Sequence, residues 1–449
     1  MSNTPSIRSG IAVPRYTSYP TAPHFSDRVD AGTYASWLSE INPGDALSLY
    51  LHLPFCDRLC WFCGCHTKQV RRYDPIADYL EALHVEIETV AGHIGRKQKV
   101  GAIHFGGGSP TMINPADLVR LRAQLDTVFD VLRSCEISVE VDPNDITEDR
   151  LDAWAAFGVT RASFGVQDFD ARVQQSINRL QSFEQTKEAL DGFRARGVTS
   201  VNLDVLYGLP HQTEDTLAAT IEKVVALSPD RVALFGYAHV PWMKKHQSMI
   251  DESWLPDASA RFAQAALGAN LLTHAGYLPV GIDHFALPED DLAKASRANT
   301  LRRNFQGYTT DQAQVLIGLG ASSISSLPQG YVQCVTATHD YSRRALAGEL
   351  PVARGYKLTS ADRARGWIIE NLMCRFGFSA AQLRTLFPAE ADALLAQAAL
   401  LAAADKDGHV RYADSHFKVT EAGRPFVRVV ASGFDAFLGT SSARHSAAV

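Results

Sequence analysis

Four of the seven cysteines of this chain, Cys56, Cys60, Cys63 and Cys65, fall within ten residues in the pattern C-x3-C-x2-C-x-C. Thiolates at that density repel one another unless a soft cation or a metal cluster takes up their charge. A structural zinc site is one reading, but such sites join cysteine pairs from separate segments. Here Cys135, Cys334 and Cys374 each stand alone in the sequence. Reduced core cysteines are a second reading. The third is an iron-sulfur cube held by three cysteines, which leaves one iron free to hold a small molecule. Leu59, Trp61 and Phe62 would then shield the cluster from water and help set its potential.

The elements that must position this loop follow a rhythm. Short apolar runs at Leu47–Leu53, Val100–Phe105, Glu136–Val141, Thr160–Val166, Ser200–Leu206 and Arg231–Phe235 alternate with helical patterns. Asp74 reads as an N-cap with Pro75 behind it, and Ile76, Leu80, Leu83, Ile87, Val90 and Ile94 follow at helical spacing. Six β-α units predict an α/β fold, a parallel sheet curled into a barrel or part of one. The chemistry-bearing residues fall where such a barrel has its active face. The cysteine loop follows strand one and Gly106-Gly-Gly-Ser-Pro-Thr111 follows strand two. Glu140 and Asp142 end strand three, Gln167 and Asp168 end strand four, Asp204 sits late in strand five, and Tyr237-Ala-His-Val-Pro241 follows strand six.

Around this barrel, placed at 46–250, the sequence divides further. Residues 1–45 form an extension whose Pro14–Pro23 stretch either hugs the surface or brings Arg15, Tyr16 and Tyr19 to a pocket; Asp30 caps a short helix reaching Ile41. Residues 251–355 read as a connecting region completing the cleft. Residues 356–438 read as a mostly helical domain with helices at Ile368–Met373, Ala380–Leu386, Ala391–Leu401 and Ala422–Leu438, and a hairpin over Val410–Val419. The polar tail 439–449 is expected to be disordered.

Each motif has a bland alternative. Gly107 and its neighbours could cradle a ligand with bare backbone or simply form a turn. Glu140 is a charge in a strand that should be buried, so it needs a partner, either a cationic ligand or a salt bridge. Gln167 and Asp204 could bind ribose hydroxyls or satisfy loop amides. Arg179 reads as a helical, solvent-facing arginine. His52, His66, His239 and His284 lie near strand ends without metal-site spacing and read as structural.

C-x3-C-x2-C after a hydrophobic strand resembles the signature of the radical S-adenosylmethionine (SAM) enzymes. Pro14-Arg-Tyr-Thr-Ser-Tyr-Pro-Thr21, Gly64-Cys65, Gly106-Gly-Gly-Ser-Pro-Thr111, Asp283-His-Phe-Ala286 and Asn304-Phe-Gln-Gly-Tyr-Thr-Thr310 narrow the resemblance to the oxygen-independent coproporphyrinogen III oxidases. It implies a partial six-fold barrel and one [4Fe-4S] cluster on Cys56, Cys60 and Cys63, whose fourth iron SAM would chelate. By the same resemblance Tyr50, Gly107, Glu140 and Ile324 would contact that SAM. Phe62, Gly108, Ser109, Gln167, Arg179, Asp204 and Ala238 would contact a second SAM. Cys65 and Glu140 are the catalytic candidates. Ser109 and Trp61 depart mildly from the family pattern, keeping a hydroxyl and an aromatic ring. The implied reaction turns two propionates of coproporphyrinogen III into vinyl groups, with an electron donor of the flavodoxin or ferredoxin kind and an unidentified acceptor. Such propionate C–H bonds are too strong for side-chain bases, which is why a cofactor is needed. A haem chaperone and another tetrapyrrole-acting radical enzyme are the alternatives; Cys65 and the Tyr-Thr-Ser-Tyr-Pro arm side with the oxidase.

Composition sets the limits. The chain has 449 residues, 46% hydrophobic and 20% charged, with net charge -6. That argues against nucleic-acid binding, and no apolar run reaches the ~18 residues of a membrane span. The N-terminus lacks a signal-peptide core, and unpaired clustered cysteines suit a reducing compartment, so a cytoplasmic monomer is expected. A substrate with four carboxylates calls for local basic residues, for which Arg15, Lys68, Arg71, Arg72, Lys244, Lys245, Arg302 and Arg303 are candidates.

Overall fold

In the computed structural model residues 13–438 are described; the tail expected to be disordered lies outside them. The six expected strands form as Leu47–Leu53 (β1), Lys99–Gly107 (β2), Asp130–Val141 (β3), Arg161–Gln167 (β4), Ser200–Tyr207 (β5) and Arg231–Gly236 (β6), paired in parallel in that order. Along β1, β3, β4 and β5 apolar residues, packed under the surrounding helices, alternate with polar residues. The helix after the cysteine loop runs Asp74–Ile94, so Asp74 is its first residue, not its cap. Asp30 does cap Ala31–Ser39, accepting from Thr33 N.

The segment 251–355, read as a connecting region, extends the sheet at both edges. Leu278–Val280 (β7) and His284–Ala286 (β8) add antiparallel beyond β6. At the other edge Val315–Leu319 (β9) lies parallel to β1, followed by antiparallel Ile324–Leu327 (β10), Gly330–Cys334 (β11) and Val352–Lys357 (β12). The resulting 12-stranded sheet is open, in the order β12-β11-β10-β9-β1-β2-β3-β4-β5-β6-β8-β7. Gly318 and Gly320 hid β9 in the sequence, since glycine inside a strand marks close backbone approach. A Cβ on Gly318 would stand 2.8 Å from the Ile324 backbone.

The C-terminal residues form a second core around Ile368, Leu372, Leu394 and Phe417. The expected helix Ala422–Leu438 reduces to Val427–Ser432, because Pro425 supplies no amide donor and the helix ends at Gly433. The N-terminal arm is no mere surface strap. Val13, Tyr16 and Tyr19 are buried in that second core, with Tyr16 Oη donating to Asp435 at 3.0 Å and Ala436 N donating to Tyr19 Oη at 2.9 Å.

Candidate active site

The cysteine loop is clamped from two sides. Just past the helix Ala171–Ser176, Ile177 O accepts from Trp61 N (2.9 Å) and Asn178 Nδ2 donates to Leu59 O (2.9 Å). Beyond β6, Gln247 Nε2 donates to both Phe62 O (2.9 Å) and Ala238 O (3.2 Å). His246 Nε2 donates to Cys63 O at 2.7 Å and Lys244 Nζ to Cys65 O at 2.8 Å. Trp61 and Phe62 pack on an apolar cluster containing Ile177, Leu209 and Tyr237.

Arg179 is the candidate whose orientation local periodicity determined least. It lies beyond the helix end, and its guanidinium is buried, 9% exposed. Nη1 sits 3.0 Å from Asp142 Oδ2 and 3.6 Å from Cys60 Sγ, while Nη2 donates to Gly165 O at 2.7 Å. Burial pushes the Cys56 thiol up, and the neighbouring Cys63 and Cys60 thiols push it further. Cys60 is also raised by burial, against the pull of Arg179. Cys63 is lowered, first by hydrogen bonding from the Cys65 thiol; Cys65 N also donates to its sulfur at 3.3 Å. Burial and a neighbouring thiolate hold Cys56 and Cys60 protonated; a cationic centre would relieve both, and thiolate corners are what an iron-sulfur cluster takes. The donor set therefore fits the cluster.

Inside the barrel, strand register builds a polar belt. Tyr50 stands opposite His104, His104 opposite Ser138, Glu140 opposite Ser163, and Gly165 opposite Asp204. Tyr50 Oη is 2.9 Å from His52 Nδ1, and its ring stacks on His104 with centroids 5.7 Å apart. His104, which sequence reasoning missed, joins Ser138 Oγ (2.6 Å) to Glu140 Oε1 (3.4 Å), and Gly107 N donates to Glu140 Oε2 at 3.0 Å. Burial pushes the Glu140 carboxyl up, but His104 and the Gly107 amide outweigh it and leave the group below its usual range. Glu140 is thus an anion at neutral pH. Asp204 differs: burial carries it up to about 6 although Asn202 Nδ2 donates to it at 2.8 Å. Gln167 ends β4 at φ 66, and its side-chain amide makes no hydrogen bond among the described residues. A non-glycine residue held there stores strain that often accompanies ligand contact. Ile324 reaches the belt through Gly318, which pairs with Tyr50.

The glycine run is demanded by packing. A Cβ at Gly106 would meet Glu140 Oε1 at 2.8 Å, at Gly107 (φ 111) the His52 ring at 2.5 Å, and at Gly108 the Phe55 carbonyl at 2.4 Å. Bare backbone lets the loop lock onto the start of the cysteine loop, with Gly108 N donating to Leu53 O and Ser109 N to Phe55 O, both at 2.7 Å. Ser109 Oγ is committed to Asp145 and Thr111. Asp168, fully buried, accepts from Gln212, Thr220 and Asp170 N and holds up the core. The four histidines read as structural all have protein partners, namely Tyr50 and His66 O for His52, Thr336 O for His66, Tyr237 for His239 and Asp283 for His284.

Of the eight basic candidates, Lys68, Arg71, Arg72 and Lys245 are exposed, Lys244 is spent on the cysteine loop, and Arg302 pairs with Glu370 at 2.7 Å. Arg15 and Arg303 line a cavity of about 470 Å³ between β6, the helix Ala258–His274 and the C-terminal residues. Arg261 and Arg428, also in its wall, were not singled out because helical arginines usually face water.

The Radical SAM superfamily pattern matches residues 50–224 and the HemN C-terminal domain matches residues 358–426. The chain is 51% identical to the oxygen-independent coproporphyrinogen III oxidase of Bradyrhizobium diazoefficiens over 97% of both chains. It is 46% identical to that of Paracoccus denitrificans over 97% of this chain and 96% of the relative. Among solved structures, coproporphyrinogen III oxidase (HemN) from Escherichia coli, a radical SAM enzyme, superposes with TM-score 0.90 at 38% identity, covering 94% of this chain and 97% of that one. Seven parallel strands, a cysteine loop clamped over their carboxyl ends and relatives aligned from end to end agree: this chain belongs to the oxygen-independent coproporphyrinogen III oxidase family of the radical SAM superfamily.

Proposed function

We propose that the chain converts coproporphyrinogen III to protoporphyrinogen IX without oxygen, as the names of its relatives suggest. The observation that carries the reading is the convergence of the Cys56, Cys60 and Cys63 loop with an ionised Glu140, held by His104 and the Gly107 amide, at one end of the barrel. When bound, the cluster and SAM supply a carbon radical able to take a propionate hydrogen atom.

The chain's own residues hold and orient. Cys56, Cys60 and Cys63 hold the cluster, and Arg179 balances the charge of Cys60. Glu140, kept ionised by His104 and the Gly107 amide, would receive the ammonium of SAM, with Tyr50, Gly107 and Ile324 around it. Phe62, Gly108, Ser109, Gln167, Arg179, Asp204 and Ala238 surround a second SAM. The free amide of Gln167 and the Asp204 carboxylate, which accepts one bond on each oxygen, suit ribose hydroxyls. Cys65 keeps its proton beside Cys63, since its thiol is raised. A flavodoxin- or ferredoxin-like donor supplies the electron. No helix among the described residues is long and apolar enough to cross a membrane, and we place the reaction in the cytoplasm on a monomer.

Deuterium at the β-carbon of the reacting propionates tests the reading. Label should appear in the methyl of 5′-deoxyadenosine, and equilibrium dialysis of the reconstituted protein should find two SAM per chain. Unlabelled 5′-deoxyadenosine would refute hydrogen abstraction from this substrate, and a stoichiometry that never exceeds one would refute the second site.

A further inference from the structure

The cavity between β6, the helix Ala258–His274 and the C-terminal residues concentrates positive charge in a chain that is acidic overall. Arg15, Arg261, Arg303 and Arg428 line it, and Asp283 is the carboxylate in the same wall. Their donors are left open. Arg428 makes no hydrogen bond or ion pair among the described residues. Arg261 gives Nη2 to Tyr237 O at 2.7 Å, yet its buried Nε has no partner. Arg303 lies 4.5 Å over the Tyr308 ring and gives Nε to Tyr16 O at 3.3 Å and Nη2 to Arg15 O at 3.4 Å, but its Nη1 is buried and unpaired. Arg15 gives Nη2 to Gly236 O at 3.2 Å. Asp283 is itself taken by His284 Nδ1 at 2.7 Å. Burial, then Arg15, push the Arg428 guanidinium down to about 10, with Arg303 adding to this and Tyr207 and Asp283 opposing it. Unpaired buried donors and crowded like charges are costly in the free protein, and an anion brought by a ligand removes both costs at once.

The cavity also adjoins the cofactor loop. Tyr237 lines it, and the next residue, Ala238, shares Gln247 with the Phe62 carbonyl. Phe235, Phe285 and Phe305 give it aromatic walls suited to a pyrrole face.

We propose that Arg261, Arg303 and Arg428, with Arg15 at the rim, form the subsite that receives propionate carboxylates of the tetrapyrrole and thereby select a polycarboxylate substrate. This rests on the function proposed above. Guanidinium forks match carboxylates bidentately, so charge and geometry both count.

The test uses the full reconstituted chain with Arg261→Gln, Arg428→Gln, the double variant, Arg428→Lys, and Arg411→Gln as an exposed charge control. Coproporphyrin III binding is followed by its fluorescence, and KM and kcat by product mass. Each glutamine variant should raise Kd and KM about tenfold and the double variant about a hundredfold. Iron content and SAM binding should stay at wild-type levels, and kcat should change less than KM. Arg428→Lys should lie between wild type and Arg428→Gln, and it carries the test if the glutamine variant fails to fold; Arg411→Gln should match wild type. If the double variant makes product with Kd and KM within about twofold of wild type, the carboxylates bind elsewhere and the function stands. A double variant that melts lower with unchanged Kd would make these arginines purely structural. Wild-type protein that binds coproporphyrin III but makes no product overturns the function while leaving the subsite in place; no binding at all overturns both.

Discussion

The thiol pocket and the arginine cavity lie side by side and are built on opposite plans. Around the cysteines most backbone groups are tied, with Leu59, Phe62, Cys63 and Cys65 all giving their carbonyls to side chains from two directions. The buried cation there, Arg179, is matched by Asp142, although its Nε has no partner. In the cavity four arginines share one carboxylate, Asp283, and the buried Arg261 Nε and Arg303 Nη1 have no partner. The first region holds a group that must not shift relative to the barrel, so the protein fixes the geometry in advance. The second awaits a ligand that supplies the missing charge itself. A site for a resident cofactor is complete without its visitor; a site for a polyanionic substrate is not.

Breaking the first plan should have the largest effects. Cys60→Ser should remove the cluster and all activity, whereas Cys65→Ser should keep its iron, because Cys65 lies outside the three-thiol set; iron analysis and visible absorption read this. Equal iron loss in both would put Cys65 among the ligands. Next, Arg179→Leu leaves the half-buried Asp142 with Asn144 as its partner and should cost about 1.5–3 kcal/mol in denaturant unfolding. Arg428→Gln removes a cation without a protein partner and should change stability by less than about 1 kcal/mol. Similar costs for the two would erase the contrast between the regions.

A pH experiment sharpens it further. Asp204 has a folded pKa of about 6 against an ordinary 3.8, so the folded protein holds this proton more tightly than the unfolded chain. Its stabilising contribution is complete below about pH 4 and lost as pH rises through about 6. Relative to Asp204→Asn, the cofactor-free wild type should lose up to about 3 kcal/mol between pH 4 and pH 8. Parallel stability curves for the two proteins would show that Asp204 does not titrate there. Gln247→Ala frees the Phe62 and Ala238 carbonyls and the Val240 amide and should cost about 1–3 kcal/mol. SAM affinity should fall several-fold with iron content unchanged.

How far each region could be read from sequence follows from the same difference. The cysteines, glycines and Glu140 occupy short segments at strand ends, so local spacing and the barrel rule place them together. The glycine requirement was legible as a pattern, but its cause, the fit against His52, Glu140 and Phe55, depends on register between strands. His104 looked like any strand residue until pairing set it between Tyr50 and Glu140. Arg179 lay one turn past a short helix, where periodicity cannot say which way a side chain points. The cavity was least legible, since Arg15, Arg261, Arg303 and Arg428 come from four distant segments and only tertiary folding joins them. β9 was masked by the glycines that let β10 approach it.

The central claim, that the thiol pocket and the cavity serve one reaction on coproporphyrinogen III, is tested most directly by product mass. Reduced, reconstituted protein is incubated with coproporphyrinogen III and SAM without oxygen, and the porphyrins are weighed after oxidation. The account predicts protoporphyrin, two carbon dioxides released and two SAM cleaved for each molecule formed. Coproporphyrin that persists while SAM is cleaved by a fully loaded cluster would contradict it.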